Sequence, residues 1–246
     1  MRGQEPEQLR IKRDEELPRA RKAGRVDKEL RGYGVAKGKL FEVQNHNCAY
    51  CEAKQVQAEY RDVDHFRPKS SYWWLAWSWD NLLFSCEVCN RSHKKDQFPL
   101  LDEAMRLQAE ELPPGREQPL LLDPFDTTID LRQEIKFRSE TIERKQRWRP
   151  VGLTERGRKT IELCGLDRPA LLDAYTDHVN ERVRPRIEDV RQAAHDRRRL
   201  EEEWYRLCRS LNGQQFRALS SDAVHQLLGP QLRAHGLHWY ERDAAG

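Results

Sequence analysis

The chain is 246 residues long, enough for one or two domains with a sizeable core. Charged residues reach 35%, against ~25% in an average globular protein, yet 44 basic and 41 acidic residues leave a formal net charge of only +3, so net charge by itself selects no partner. The longest wholly apolar run, Tyr72 to Trp77, is far short of the ~20 residues a membrane helix needs, and no membrane partner is expected.

Residues 1–40 are dense in charge, then carry Gly32, Gly34 and Gly38, and read as an N-terminal helical arm. They contain no apolar stretch of the secretory kind, which points to a cytoplasmic site of action. Residues 41–110 differ in composition: Cys48, Cys51, Cys86 and Cys89 fall here with Trp73, Trp74, Trp77 and Trp79. Residues 111–246 read as a mainly helical C-terminal region. In it, the apolar run Leu120-Leu121-Leu122 stops at Asp123-Pro124, which fits a short strand or a turn. Thr154 with Glu155 can open a helix that Gly165 closes. From Leu171 to Leu211 apolar residues recur, mostly in steps of three or four, through Val179, Val183, Ile187, Val190, Ala194, Trp204 and Leu207. That spacing predicts a long helix, kinked or divided at Pro185.

In a reducing compartment six cysteines read first as metal ligands or free thiols. Cys48-Ala-Tyr-Cys51 and Cys86-Glu-Val-Cys89 are two matching hooks, each presenting two sulfurs to one ion, and together they predict a structural zinc site. Four thiolates leave no coordination position open for substrate. The gap between the hooks is wider than in a simple zinc ribbon, so a functional insert is expected there. Cys164 and Cys208 read as buried thiols, and His178, His195, His225, His235 and His238 show no ligand spacing.

The insert carries Val63-Asp64-His65-Phe66-Arg67-Pro68-Lys69 and Trp79-Asp80-Asn81-Leu82-Leu83, and the second hook runs straight into Asn90-Arg91-Ser92-His93-Lys94-Lys95. In this order the residues resemble the four-cysteine HNH, or ββα-metal, endonucleases. The hook Cys48-Ala-Tyr-Cys51-Glu52, the His65-Phe66-x-Pro68-Lys69 loop and Trp79-Asp80-Asn81-Leu82-Leu83-x-Ser85-Cys86 are similar, within that group, to the HNH subunit of Septu-type and retron-linked anti-phage systems. The fold class that follows is α+β, a zinc-stapled ββα-metal domain within a mainly helical protein.

Phosphodiester hydrolysis needs a base for the attacking water and a cation against the developing charge. His65 is the candidate base, because imidazole is largely unprotonated at neutral pH. Simple strand alternation places Asp64 and His65 on opposite sides. The resemblance implies that Asp64 and Asn90 nevertheless hold a catalytic Mg²⁺ or another divalent ion, and that Asn81 holds the loop bearing the base. The plainer alternative for Asn81 is a helix cap. His93, three residues after Asn90, would share its helical face and could join the metal or meet the scissile phosphate. Lys69, Arg91, Lys94 and Lys95 are the candidate phosphate contacts. The resemblance further implies a nucleic-acid substrate, DNA in preference to RNA, and an ABC-type ATPase partner. No P-loop motif occurs in this chain, so any ATP hydrolysis would be the partner's.

Two other readings use the same residues: a stand-alone homing or restriction-like HNH nuclease, and a catalytically inactive zinc-dependent nucleic-acid-binding module. The run Tyr72 to Trp79 invites base stacking but reads better as core, with one or two Trp left exposed. Three basic clusters lie outside the insert. Arg144, Lys145, Arg147 and Arg149 form one, Arg156, Arg158 and Lys159 another, and Arg197-Arg198-Arg199 a third beside Glu201-Glu202-Glu203, where helix salt bridges compete.

Overall fold

A computed structural model describes residues 3–23, 30–56, 62–211 and 214–237; His238 lies outside them. The chain divides into two compact units, Met1–Glu134 with Gly152–Leu166, and Ile135–Val151 with Asp167–Gly246.

The first unit opens with α1 (Glu7–Ala23), a single 3₁₀ turn at Tyr33–Ala36 and α2 (Lys37–Val43). These helices supply Leu9, Ala20, Ala36 and Leu40 to one apolar core, which Ala76, Trp77, Trp79, Leu82 and Phe84 complete. Packing thus joins the N-terminal helices to the segment between the cysteine hooks. That segment contains two four-residue strands, β1 (Asp62–His65) and β2 (Leu82–Ser85), paired antiparallel with Asp64 opposite Leu83 and His65 opposite Leu82. A seven-residue π-helix, Val88–Lys94, follows. Strand, strand and helical turn are the expected ββα finger.

Strands this short need help at their edges. The side chain of Gln44 supplies it: its amide nitrogen donates to the Phe84 carbonyl (2.8 Å) and its oxygen accepts from the Phe84 N–H (2.8 Å), as a third strand would. Trp74, Trp77 and Trp79 are buried as core residues, and Trp73 is half-buried against the same cluster. Each buried indole N–H finds a backbone carbonyl, of Glu111, Arg31 and Gly3 respectively. After the four-residue helix α3 (Leu131–Glu134) and the excursion into the second unit, α4 (Glu155–Cys164) returns to the first. Its ends are those expected: the Thr154 side chain accepts from the Gly157 N–H, and Gly165 closes it with φ 57°.

The second unit contains a two-stranded ribbon, β3 (Ile135–Ile142) and β4 (Lys145–Gly152), and the helices α5 (Pro169–His178), α6 (Arg184–Gln192), α7 (Arg197–Leu211) and α8 (Arg217–His235). The expected long helix is present but is not divided where Pro185 suggests. A π-turn at Val179–Val183 carries the chain from α5 into α6, and Pro185 sits in the first turn of α6, where its missing N–H has little effect. The division falls later, in the four residues between Gln192 and Arg197. Most of the expected apolar face is buried, with Val179, Val183, Ile187, Val190, Trp204, Leu207 and Leu211, but Ala194 is half-buried and Ala193 takes the inward position instead. On α7 the basic cluster is largely neutralised, Arg197 by Glu201 (2.7 Å) and Arg198 by Glu202 (3.3 Å). No helix among the described residues is long and apolar enough to cross a membrane.

Candidate active site

The finger is stapled at one end by sulfur. The Sγ atoms of Cys48, Cys51, Cys86 and Cys89 all lie within 4.8 Å of one another, and all four residues are buried. Cys51 and Cys86 approach to 3.9 Å, close to the ~3.8 Å edge of a tetrahedron with Zn–S bonds of about 2.3 Å. Two backbone N–H groups already point at sulfur, Cys86 N–H at Cys48 Sγ (3.3 Å) and Cys89 N–H at Cys86 Sγ (3.4 Å). Donor type, count, spacing and burial therefore suit a structural zinc ion. Between them the thiols cannot all stay alike: hydrogen bonding from Cys48 pushes Cys86 and Cys51 down, while burial holds Cys48 up.

β1 ends on the two residues expected to do chemistry, and the pleat sends them to different neighbours. His65 is buried, its ring edge-on to Tyr33 at 4.5 Å between centroids, with Nε2 3.0 Å from the Ala76 carbonyl. A carbonyl only accepts, so Nε2 carries the proton and the lone pair of the neutral ring is on Nδ1. Asn81 braces both ends of this contact. Its Oδ1 accepts from the Arg67 N–H (2.8 Å), and its Nδ2 donates to the carbonyls of Arg67 (3.0 Å) and Leu75 (3.2 Å). It thereby ties the residues just after His65 to the residue just before Ala76. The same loop is anchored from farther along the chain by Glu117, which accepts from the Arg67 guanidinium (2.8 Å), the Tyr72 hydroxyl (2.6 Å) and the Leu107 N–H (3.0 Å).

Asp64 faces the opposite way. Tyr50, inside the first hook, donates its hydroxyl to Oδ2 (2.5 Å), and the Lys94 ammonium sits 3.1 Å from Oδ1. Lys94 is wholly buried and also donates to the carbonyls of His65 (2.8 Å) and Lys95 (3.4 Å). Burial pushes the Asp64 carboxyl up, while Lys94 and Tyr50 pull it back toward the ionised form. Two residues earlier on the same strand face, Asp62 receives the Asn90 amide (3.1 Å) and both arms of the Arg91 guanidinium (2.8 and 2.7 Å).

This geometry redistributes several of the expected roles. Lys94 does not face solvent as a phosphate contact; its ammonium is enclosed by a carboxylate and two carbonyls. Arg91 is exposed, but Asp62 holds its guanidinium. Lys95 is exposed and Lys69 half-buried. The His93 ring packs against Gly165, where even an added methyl carbon would lie 2.3 Å from Cε1, so the site needs glycine for space as well as for its positive φ. The donors proposed for a hard cation, the Asp64 carboxylate and the Asn90 amide oxygen, are of the right chemical class. Each Asp64 oxygen already accepts one hydrogen bond, from Tyr50 and from Lys94, and keeps a second lone pair. A divalent ion at Asp64 would therefore compete with the Lys94 ammonium for the same negative charge.

Sequence reasoning missed Tyr50, Asp62 and the burial of Lys94. The first two were accessible signals: Tyr50 sits within a hook that had to turn toward the strands, and Asp62 shares a strand face with Asp64 by the two-residue period.

The fold and the site define a class. Residues 48–96 match the HNH endonuclease family model, and the chain carries an HNH endonuclease domain. Among known proteins it is similar to the Septu protein PtuB of Bacillus mycoides (strain KBAB4), 35% identical over 154 residues, which cover 56% of this chain and 48% of that protein. It is also similar to the Septu protein PtuB of Bacillus thuringiensis, 37% identical over 67 residues, 26% of each chain. The matched region thus spans about half, or less, of the length of these curated relatives. No solved structure matches.

Proposed function

We propose that this chain hydrolyses phosphodiester bonds of nucleic acid, DNA in preference to RNA, as the nuclease of an anti-phage defence system whose ABC-type ATPase partner gates it. The defence role and the partner rest on the likeness to Septu proteins. The observation that carries the chemistry is the imidazole of His65, fixed through Nε2–H to the Ala76 carbonyl in a loop that Asn81 braces on both sides.

In this reading Nδ1 of His65 takes a proton from water, the resulting hydroxide attacks phosphorus, and the P–O bond to the departing nucleotide breaks, its alkoxide taking a proton from solvent. Asn81 does not touch substrate; it keeps the imidazole from turning. The zinc on Cys48, Cys51, Cys86 and Cys89 is structural. Asp64 and Asn90 are the residues that would hold a hard divalent ion, which when bound would neutralise charge on the phosphate.

The buried Asp64 and Lys94 pair favours a second reading, a zinc-dependent module that binds nucleic acid without cutting it, because the carboxylate's cation is already supplied. One experiment separates them: the full chain with zinc loaded, His65→Ala beside the parent, assayed on DNA and RNA across Mg²⁺, Mn²⁺ and Ni²⁺. Nuclease function predicts cleavage by the parent and a loss of 100-fold or more, on the order expected for a general base, in His65→Ala at unchanged zinc content. Equal rates would end the assignment of His65, and binding without turnover in every metal would establish the inactive module.

A further inference from the structure

The β3 and β4 ribbon of the second unit lies outside the HNH domain and has no part in the chemistry above. Strand alternation gives it two unlike faces. Phe137, Trp148 and Pro150 are buried on one. The other carries Lys136, Arg138 and Glu140 from β3 and Lys145, Arg147 and Arg149 from β4, of which Arg147 is largely buried and paired with both Glu143 and Asp173, leaving five cations of unequal exposure. Three of the five have acidic neighbours: Lys136 lies 3.8 Å from Asp222, Arg147 3.0 Å from Asp173, and Arg149 3.6 Å from Glu140. Arg138 and Lys145 are exposed and make no ion pair among the described residues, and the same holds for Arg144 at the tip.

The turn adds an independent observation. Its two residues, Glu143 and Arg144, have φ of 52° and 64°, a left-handed pair that two-residue hairpin loops normally fill with Asn or Gly. Long charged side chains thus stand at both turn positions, where a left-handed backbone favours Asn or Gly, and Arg144 projects its cation from the tip of the ribbon. α7 supplies the contrast within the same unit, since Arg197 and Arg198 are paired with Glu201 and Glu202.

We infer that the ribbon is a second nucleic-acid contact, docking duplex DNA through Arg138, Arg144 and Lys145. A two-stranded ribbon has the width of the B-DNA major groove, and cations on one face and the tip would meet phosphates along its walls. The inference rests on nucleic acid being the substrate, but it concerns binding and not cleavage.

The test uses the full, zinc-loaded chain carrying His65→Ala, so that DNA survives the measurement. Duplex affinity is followed by fluorescence anisotropy between about 50 and 200 mM NaCl, the range over which phosphate contacts are read from salt dependence. Replacing Arg138, Arg144 and Lys145 together by Gln is expected to lower the slope of log K against log salt by about 2 to 3, at ~0.9 per lost contact. The control Arg197→Gln with Arg198→Gln should leave it unchanged. An unaltered slope in the ribbon variant, an equal effect in the α7 control, or tighter binding to single-stranded RNA than to duplex DNA would overturn the inference. In a His65-intact chain the ribbon variant should keep its maximal cleavage rate and need more DNA to reach half of it. A parent that binds in this salt-dependent way but never cuts would refute the nuclease reading and leave the ribbon contact standing.

Discussion

The finger of the first unit and the helices of the second are held together by different forces. In the finger, two strands of four residues and the helical turns beside them carry a buried aspartate, a buried lysine, a buried histidine and a buried asparagine, each satisfied by a particular partner, with four sulfurs gathered beside them. Apolar burial alone cannot fix so small an element, and polar groups taken out of water must be paired. The second unit is the reverse case. Its helices bury an aliphatic stripe with Trp204 at 0% exposure, and many of their charges pair one turn away in solvent, where each pair contributes about 0.3 to 0.5 kcal/mol. The finger therefore tolerates substitution poorly and holds atoms in fixed positions, which suits a catalytic site. The helical unit is robust to surface change and free to present charge.

The largest effect that would test this contrast is removal of one sulfur. Structural zinc contributes about 10 kcal/mol or more in isolated fingers, comparable to the whole stability of a domain. Cys86→Ser should lose bound metal and abolish hydrogen-exchange protection in β1 and β2 while leaving α5 to α7 protected. Equal loss of protection in both units, or none in the finger, would show that they are not held by separate means.

The next effect comes from the buried ion pair. Lys94→Ala strands the Asp64 carboxylate out of water, and breaking such a pair costs about 3 to 5 kcal/mol. Denaturant unfolding of the finger, followed by its tryptophan fluorescence, should shift by that amount. The double variant Asp64→Leu with Lys94→Met should recover much of the loss. If Asp64 takes a hard cation once the ammonium is gone, Mg²⁺ will restabilise Lys94→Ala but not the double variant.

The smallest of the three lies in the second unit. His178 is buried with Nδ1 unpartnered and Nε2 2.9 Å from Ser220 Oγ, and burial lowers its pKa from 6.5 to about 4. Between these values the unfolded chain binds a proton that the folded chain refuses, so stability falls as pH drops from 6.5 toward 4, by up to about 3 kcal/mol. Unfolding of α5 to α8 measured against pH should show this slope, and His178→Phe should flatten it. A slope unchanged in His178→Phe would assign the acid sensitivity to other groups.

The amino-acid sequence determined whatever depends on spacing along the chain. The two cysteine hooks, the Asp64-His65 step ending a strand, Asn81 ahead of β2, the Thr154 and Gly165 helix ends and the apolar stripe of the second unit are all short-range patterns with a direct physical meaning. Tertiary structure alone decided which buried partner each polar group meets. That Lys94 turns inward to Asp64, that the His93 ring packs on Gly165, and that Glu117 reaches back fifty residues to anchor Arg67 all depend on contacts distant in sequence. A lysine at a surface-like position and a lysine that neutralises a buried carboxylate read alike in a sequence. Only the closing of the fold, which removes water from one of them, makes them different residues.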